Sequence, residues 1–231
     1  MITENIVRIR QRVASACSRA GRAPASVTLV AVTKNRGVEE IKAAITNGVT
    51  DIGENRVQEA LLKYQHLSPD TYHLTPISWH LVGHLQTNKA KEAVGIFDLI
   101  HSVDSRRLAE EIDKQALKIN KVQDCLIEVN VSGEASKFGV KPVAAAGLIK
   151  EISGLKNISV KGLMTIAPMA DDPEKARPYF RQLRELRDNI NTLGIWDLKF
   201  GILSMGMTDD FEVAVEEGAT IVRIGRAIFK D

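Results

Sequence analysis

Lys34 closes the apolar run Leu29, Val30, Ala31, Val32 and Thr33. A lysine at the end of a buried strand stands beside apolar walls that strip its hydration, which lowers its pKa and frees an amine to attack aldehydes. The plainer reading is a solvated lysine at a strand end. Two glycine-containing stretches late in the chain follow their own apolar runs: Ser204, Met205, Gly206, Met207, Thr208, and Arg223, Ile224, Gly225, Arg226. In each, glycine lets the backbone approach a ligand while hydroxyls and amides stay free to donate, as a phosphate cradle requires. Tight-turn chemistry is the alternative. An amine and such a cradle at one opening would suit a phosphorylated aldehyde.

His80 and His84 have a spacing that chelates zinc on a helix. Here Trp79, Leu81, Val82 and Gly83 read as strand, where four residues span ~13 Å, too far for one ion. No metal is expected. Asn55 and Asp104 each follow an apolar run and read first as helix caps.

These residues need elements to hold them. Apolar, β-branched runs predict strands over residues 27–32, 49–53, 78–83, 98–103, 124–131, 159–166, 199–205 and 220–225. Helical spacing predicts helices over 2–20, from Val38 to a stop at Gly48, and over 56–66, 88–94, 106–119, 143–152, 173–193 and 210–217. Asp172 and Pro173 form a cap and first-turn pair, and Gly194 stands at a terminator position. Pro178, far inside that helix, must kink it or delay its start. Strands alternating with helices point to parallel pairing, and eight of them in 231 residues fit one closed (β/α)₈ barrel domain. Too little chain follows the last strand for an outer helix, so the opening helix should pack across the seam. A doubly wound open sheet is the alternative.

Composition narrows the function. Lys+Arg 31 against Asp+Glu 29 leaves a net charge of +2, without the basic excess that nucleic acid needs, and aromatics at 5% leave few stacking platforms. No run approaches the ~18 apolar residues of a membrane span. Arg8, Arg10 and Arg12 could belong to a transit peptide, yet Ile2, Ile6, Ile9, Val13, Cys17 and Ala20 recur at helical spacing and look built to pack. A cytosolic protein is expected, with Cys17 and Cys125 reduced and buried.

The segments resemble the pyridoxal 5′-phosphate (PLP) homeostasis proteins, also called the YggS or proline synthase co-transcribed family. The resemblance spans nearly the whole chain and rests on Ala31 to Lys34, on Gly53 to Glu59, and on His80, Gly83, Leu85, Gln86, Asn88 and Lys89. It continues through Asn130, Glu134, Lys137 and Gly139, then Gly162 to Met164, Leu203 to Thr208 with Asp210, and Val222 to Gly225. Leu81 stands where the family more often has phenylalanine or methionine, and Ala93 where a larger aliphatic is usual.

The resemblance implies a barrel like the N-terminal domain of alanine racemase, with PLP as cofactor and Lys34 joined to it as an internal aldimine. It places Asn55 against the ring, Ser204 and the amides of Gly225 and Arg226 on the phosphate, Thr208 more weakly there, and Arg223 at the pyridine nitrogen. A cation at that nitrogen opposes its protonation and makes the ring a poorer sink for a carbanion. The similar racemases use a tyrosine base on a further domain, whereas Tyr64 and Tyr179 fall in helix patterns and Tyr72 in a polar stretch. The expected function is therefore a monomeric carrier or buffer of PLP, without catalytic residues, that meets PLP-dependent enzymes transiently. The alternatives are a weak amino-acid racemase or decarboxylase using Lys34, and a phosphosugar-binding barrel without a lasting imine. Lys137, in the loop after the fifth strand, is a candidate to accept cofactor during transfer; a solvated loop lysine is the plainer reading.

Overall fold

The computed structural model describes residues 1–67, 76–194 and 200–230. Its main elements run α1 (Ile2–Arg19), β1 (Thr28–Val32), α2 (Val38–Thr46), β2 (Asp51–Glu54), α3 (Val57–Leu67), β3 (Ser78–Leu81), α4 (Ala90–Ile96), β4 (Leu99–Val103) and α5 (Arg106–Lys118). They continue with β5 (Gln123–Glu128), α6 (Pro142–Ile152), β6 (Ile158–Met164), α7 (Arg177–Leu193), β7 (Ile202–Ser204), α8 (Phe211–Glu216), β8 (Ile221–Ile224) and α9 (Arg226–Phe229). Each strand pairs in parallel with its sequence neighbour. β8 returns to β1 in the register Thr28 to Ile221 through Ala31 to Ile224, closing the barrel. The expected start of strand seven at Lys199, and Tyr72, lie outside the described residues.

The opening helix does fill the seam. α1 buries Ile6, Ile9, Val13, Ala16 and Cys17 and packs against α2, α8 and α9. Just beyond it, Arg22 donates to the carbonyls of Val215 at 2.6 Å and Ala219 at 2.8 Å, tying the end of α1 to the turn that follows α8. Pro178 delays rather than kinks: a 3₁₀ turn, Pro173–Ala176, precedes α7, whose first turn holds Pro178 where a missing N–H is harmless. Asp172 caps that turn by accepting from the Glu174 N–H at 2.9 Å. Gly194 ends α7 at φ 59°. One expected cap is corrected: α5 is capped by Ser105, and Asp104 instead faces His84 at 3.6 Å.

Strand parity divides the side chains between two environments. Ala31, Ile52, Leu203, Val222 and Ile224 point outward into the apolar layer under the helices, with Trp79, Phe97, Phe180 and Phe211. Val30, Leu99, Leu126, Met164 and Ile221 fill the barrel. A polar group shares that interior: His80, His101, Ser204 and Arg223 are buried and joined by hydrogen bonds. Cys17 and Cys125 are buried and unpaired. No helix among the described residues is long and apolar enough to cross a membrane.

Candidate functional site

Parity also decides which residues reach the barrel mouth. Val30 and Val32 face inward on β1, and Lys34, two positions on, lines a cavity of about 380 Å³ at the carboxyl end of the strands. Asn55 enters it after β2, Arg223 from β8, and Thr208, Gly225 and Arg226 from the loops after β7 and β8. Lys137 joins them from the loop after β5, its ammonium donating to the Ala167 carbonyl at 3.4 Å.

Two expectations change. Lys34 is exposed, because a turn lifts it above the apolar strand, so burial does not strip its hydration. The turn is closed by the Arg36 N–H donating to the Thr33 carbonyl at 3.0 Å, with Asn35 at φ 60°. Ser204 is fully buried and does not line the cavity. Its hydroxyl lies beneath the floor, accepting from Arg223 Nη1 at 2.6 Å and standing 3.0 Å from His101 Nδ1.

The backbone carrying Lys34 is held from behind by a network that sequence reasoning missed. Thr33, of opposite parity, donates its hydroxyl to Glu54, and Lys63 on α3 donates to Glu54, to Glu59 and to the Thr33 carbonyl, each at 2.6 Å. Glu59 also accepts from the Asn35 N–H at 2.6 Å. Burial pushes the Glu54 carboxyl up despite the bonds from Lys63 and Thr33. At Glu59 burial also raises, but the bonds from Lys63 and Asn35 outweigh it and hold that carboxyl down. The i,i+4 spacing of Glu59 and Lys63 was the available signal.

The opposite wall is stitched through Gly206. Its φ of 92°, and Ala214 only 2.5 Å from where a Cβ would sit, leave room for glycine alone. Its carbonyl accepts from the Arg223 N–H at 3.0 Å, joining the two cradle segments. Asp210 accepts from the Met207 N–H at 2.6 Å and fixes the turn that presents Thr208. Gly225 passes so close to β1 that a Cβ would meet the Val32 carbonyl at 3.2 Å. The amides of Gly225 and Arg226 open α9, where first-turn N–H groups lack helical acceptors. Arg226 pairs with Asp209 at the rim.

Arg223 donates also to the Thr165 carbonyl at 2.8 Å. Burial pulls its guanidinium down to about 10, against the attraction of Asp210 and Glu128, and it stays cationic at neutral pH. His80 and His84 do not converge: His80 turns inward to Asp51 and His101, while His84 stacks on Phe138 with ring centres 3.8 Å apart. The cavity wall formed by Ile166, Ala167, Pro168, Met169 and Ala170 after β6 was also missed. Its signal was Pro168 among small residues after a strand.

Over residues 4–231 the chain matches the family described as "Alanine racemase, N-terminal domain". A protein of Aquifex aeolicus named pyridoxal phosphate homeostasis protein is 47% identical over 226 residues, covering 98% of this chain and 96% of that protein. The structure of PipY from Synechococcus elongatus PCC7942 with PLP bound is 34% identical, with a TM-score of 0.86 over 99% of this chain and 100% of that one. Alanine racemase of Clostridium difficile 630 has a TM-score of 0.72 at 14% identity, over 96% of this chain and 56% of that one. That likeness is one of barrel fold.

Proposed function

The chain belongs to the pyridoxal phosphate homeostasis protein family, and from that premise we propose that it binds PLP at the barrel mouth and carries it in the cytoplasm without turnover of its own. The observation that carries this reading is the convergence of Lys34, Arg223 and the Gly225 to Arg226 cradle on one cavity. A volume of about 380 Å³ falls within the usual range for a small ligand, roughly 300–1,000 Å³. Gly225, with no side chain, leaves the backbone bare where an anion would lie.

When bound, the cofactor supplies an aldehyde that condenses with a lysine amine, the carbonyl oxygen leaving as water. Lys34 offers that amine from a turn held rigid by Thr33, Glu54 and Lys63. The Gly225 and Arg226 amides and the Thr208 hydroxyl would hold the phosphate, and Asn55, which lines the same cavity, would bound the ring. Ser204 serves that group through Arg223. Arg223 brings a positive charge to the cavity, and against the ring nitrogen it would disfavour carbanion chemistry. Among the described residues no tyrosine lines the cavity. Loaded protein would pass its cofactor to PLP-dependent enzymes through this open mouth.

The visible spectrum of the purified chain loaded with PLP tests the reading. Colour is expected in the parent and is lost in Lys34→Ala, and borohydride reduction should leave a pyridoxyl mass on Lys34. An unlabelled Lys34 would favour a phosphosugar-binding barrel. Loss of optical activity from a single amino-acid enantiomer at enzymatic rates, abolished by Lys34→Ala, would overturn the carrier reading.

A further inference from the structure

A chain of hydrogen bonds crosses the barrel interior from its lower face to the cavity floor. Asp51 Oδ1 lies 3.0 Å from His80 Nε2, His80 Nδ1 lies 3.0 Å from His101 Nε2, and His101 Nδ1 lies 3.0 Å from Ser204 Oγ. Ser204 Oγ then accepts from Arg223 Nη1 at 2.6 Å. His80 is 5% exposed, His101 and Ser204 0%, and Arg223 4%, so water cannot substitute for a missing partner.

The two ends fix the direction of every bond between them. Arginine only donates and a carboxylate only accepts. Ser204 Oγ, accepting from Arg223, has one proton of its own, and its remaining partner is His101 Nδ1. His101 therefore accepts at Nδ1 and carries its proton on Nε2. That N–H points at His80 Nδ1, which must accept, leaving the His80 proton on Nε2 to donate to Asp51. One assignment satisfies every atom, with both rings neutral. Charge agrees with it. Burial, with the Arg223 charge beyond Ser204, holds the His101 ring well below its ordinary pKa. At Asp51 burial raises, but the bonds from His80 and Thr50 outweigh it and keep the carboxyl low.

We propose that Asp51, His80 and His101 are positioning residues that act through Ser204. By drawing its hydroxyl proton downward, they leave its lone pair to hold the Arg223 guanidinium in the cavity floor. The ligand they serve is the anionic, heteroaromatic cofactor proposed above. The affinity part of the inference rests on that reading; the ring tautomers do not.

Two measurements test it. Histidine ring ¹⁵N spectra of the unloaded full chain should show His80 and His101 neutral at pH 7, each protonated at Nε2. A charged ring, or a proton on Nδ1 of His101, would overturn the relay whether or not the protein takes up PLP. In loaded protein, His101→Leu should speed PLP release about tenfold, the scale of a hydrogen bond to a charged group felt through one intermediary. His101→Asn, whose Oδ1 can take the place of Nδ1, should recover to within about threefold of the parent. Equal loss in both variants would reduce the ring to packing and sink the proposal. Should His101→Leu fail to fold, His101→Asn decides by itself: release near the parent rate supports the relay, and release about tenfold faster refutes it. A parent that takes up no PLP refutes the proposed function, while the ¹⁵N result still judges the relay.

Discussion

The two walls of the cavity are built on opposite plans. On the β1 wall the backbone is clamped and the side chain is left loose: Thr33 and Asn35 are held by Glu54, Lys63 and Glu59, while Lys34 between them is exposed. On the β8 wall the side chain itself is clamped, with Arg223 4% exposed and donating to Ser204 and Thr165. A nucleophile that must meet an aldehyde from solution needs a fixed root and a mobile tip. A charge that must act on a bound ligand needs a fixed tip.

The contrast can be broken most severely at Lys63. Lys63→Met leaves Glu54, 0% exposed, without its cation, and a lost buried ion partner costs about 3–5 kcal/mol. The denaturation midpoint should fall accordingly, and PLP uptake with it as the Lys34 turn loosens. An unchanged midpoint would mean that the clamp is ornamental.

Glu128 sharpens the other wall through pH. Burial first, then Asp104, raise its carboxyl to about 7 against the pull of Arg223, and one of its oxygens has no hydrogen-bond partner. A raised carboxyl keeps its proton in the folded chain after the unfolded chain has lost it, so folding is progressively penalised from about pH 4.5 to about pH 7. Above that window the full penalty is present; below it, none. Glu128→Gln should therefore be more stable than the parent at pH 8 by about 3 kcal/mol, and indistinguishable near pH 4, in paired denaturant titrations. The smallest effect belongs to the rim. Arg226→Ala removes an exposed ion pair with Asp209 and should shift stability by less than about 0.5 kcal/mol. PLP release should barely quicken, because Arg226 contributes a backbone amide that alanine retains.

The barrel was legible because parallel strands buried on both faces print continuous apolar runs, and because the residue after each run falls at the mouth. Lys34, Thr208, Gly225 and Arg226 were marked by that rule and line the cavity, whereas Asn55, read by it as a cap, and the role of Arg223 came only from the family resemblance. Height along the barrel axis was not legible. Ser204 ends its run as Lys34 follows its own, yet one sits under the floor and the other above the strand, a difference set by the Thr33 to Arg36 turn. The polar interior was hidden for a related reason. In Leu99, Ile100, His101, Ser102 and Val103 every position is buried, so no alternation separates the inward His101 from its neighbours. Pro178 left a kink and a late start equally open, and packing chose the second.

The seam carries a consequence for synthesis. Asn5 donates to the carbonyls of Ile228 at 3.0 Å and Lys230 at 3.2 Å, and the apolar stripe of α1 has its partners in α8 and α9. That stripe can dock on α2 early, but its partners α8 and α9 lie some two hundred residues further along the chain. Contacts of such sequence separation form late. Until α8 and α9 are in place, much of that apolar, arginine-studded face stays uncovered, so the seam is the part of the barrel completed last.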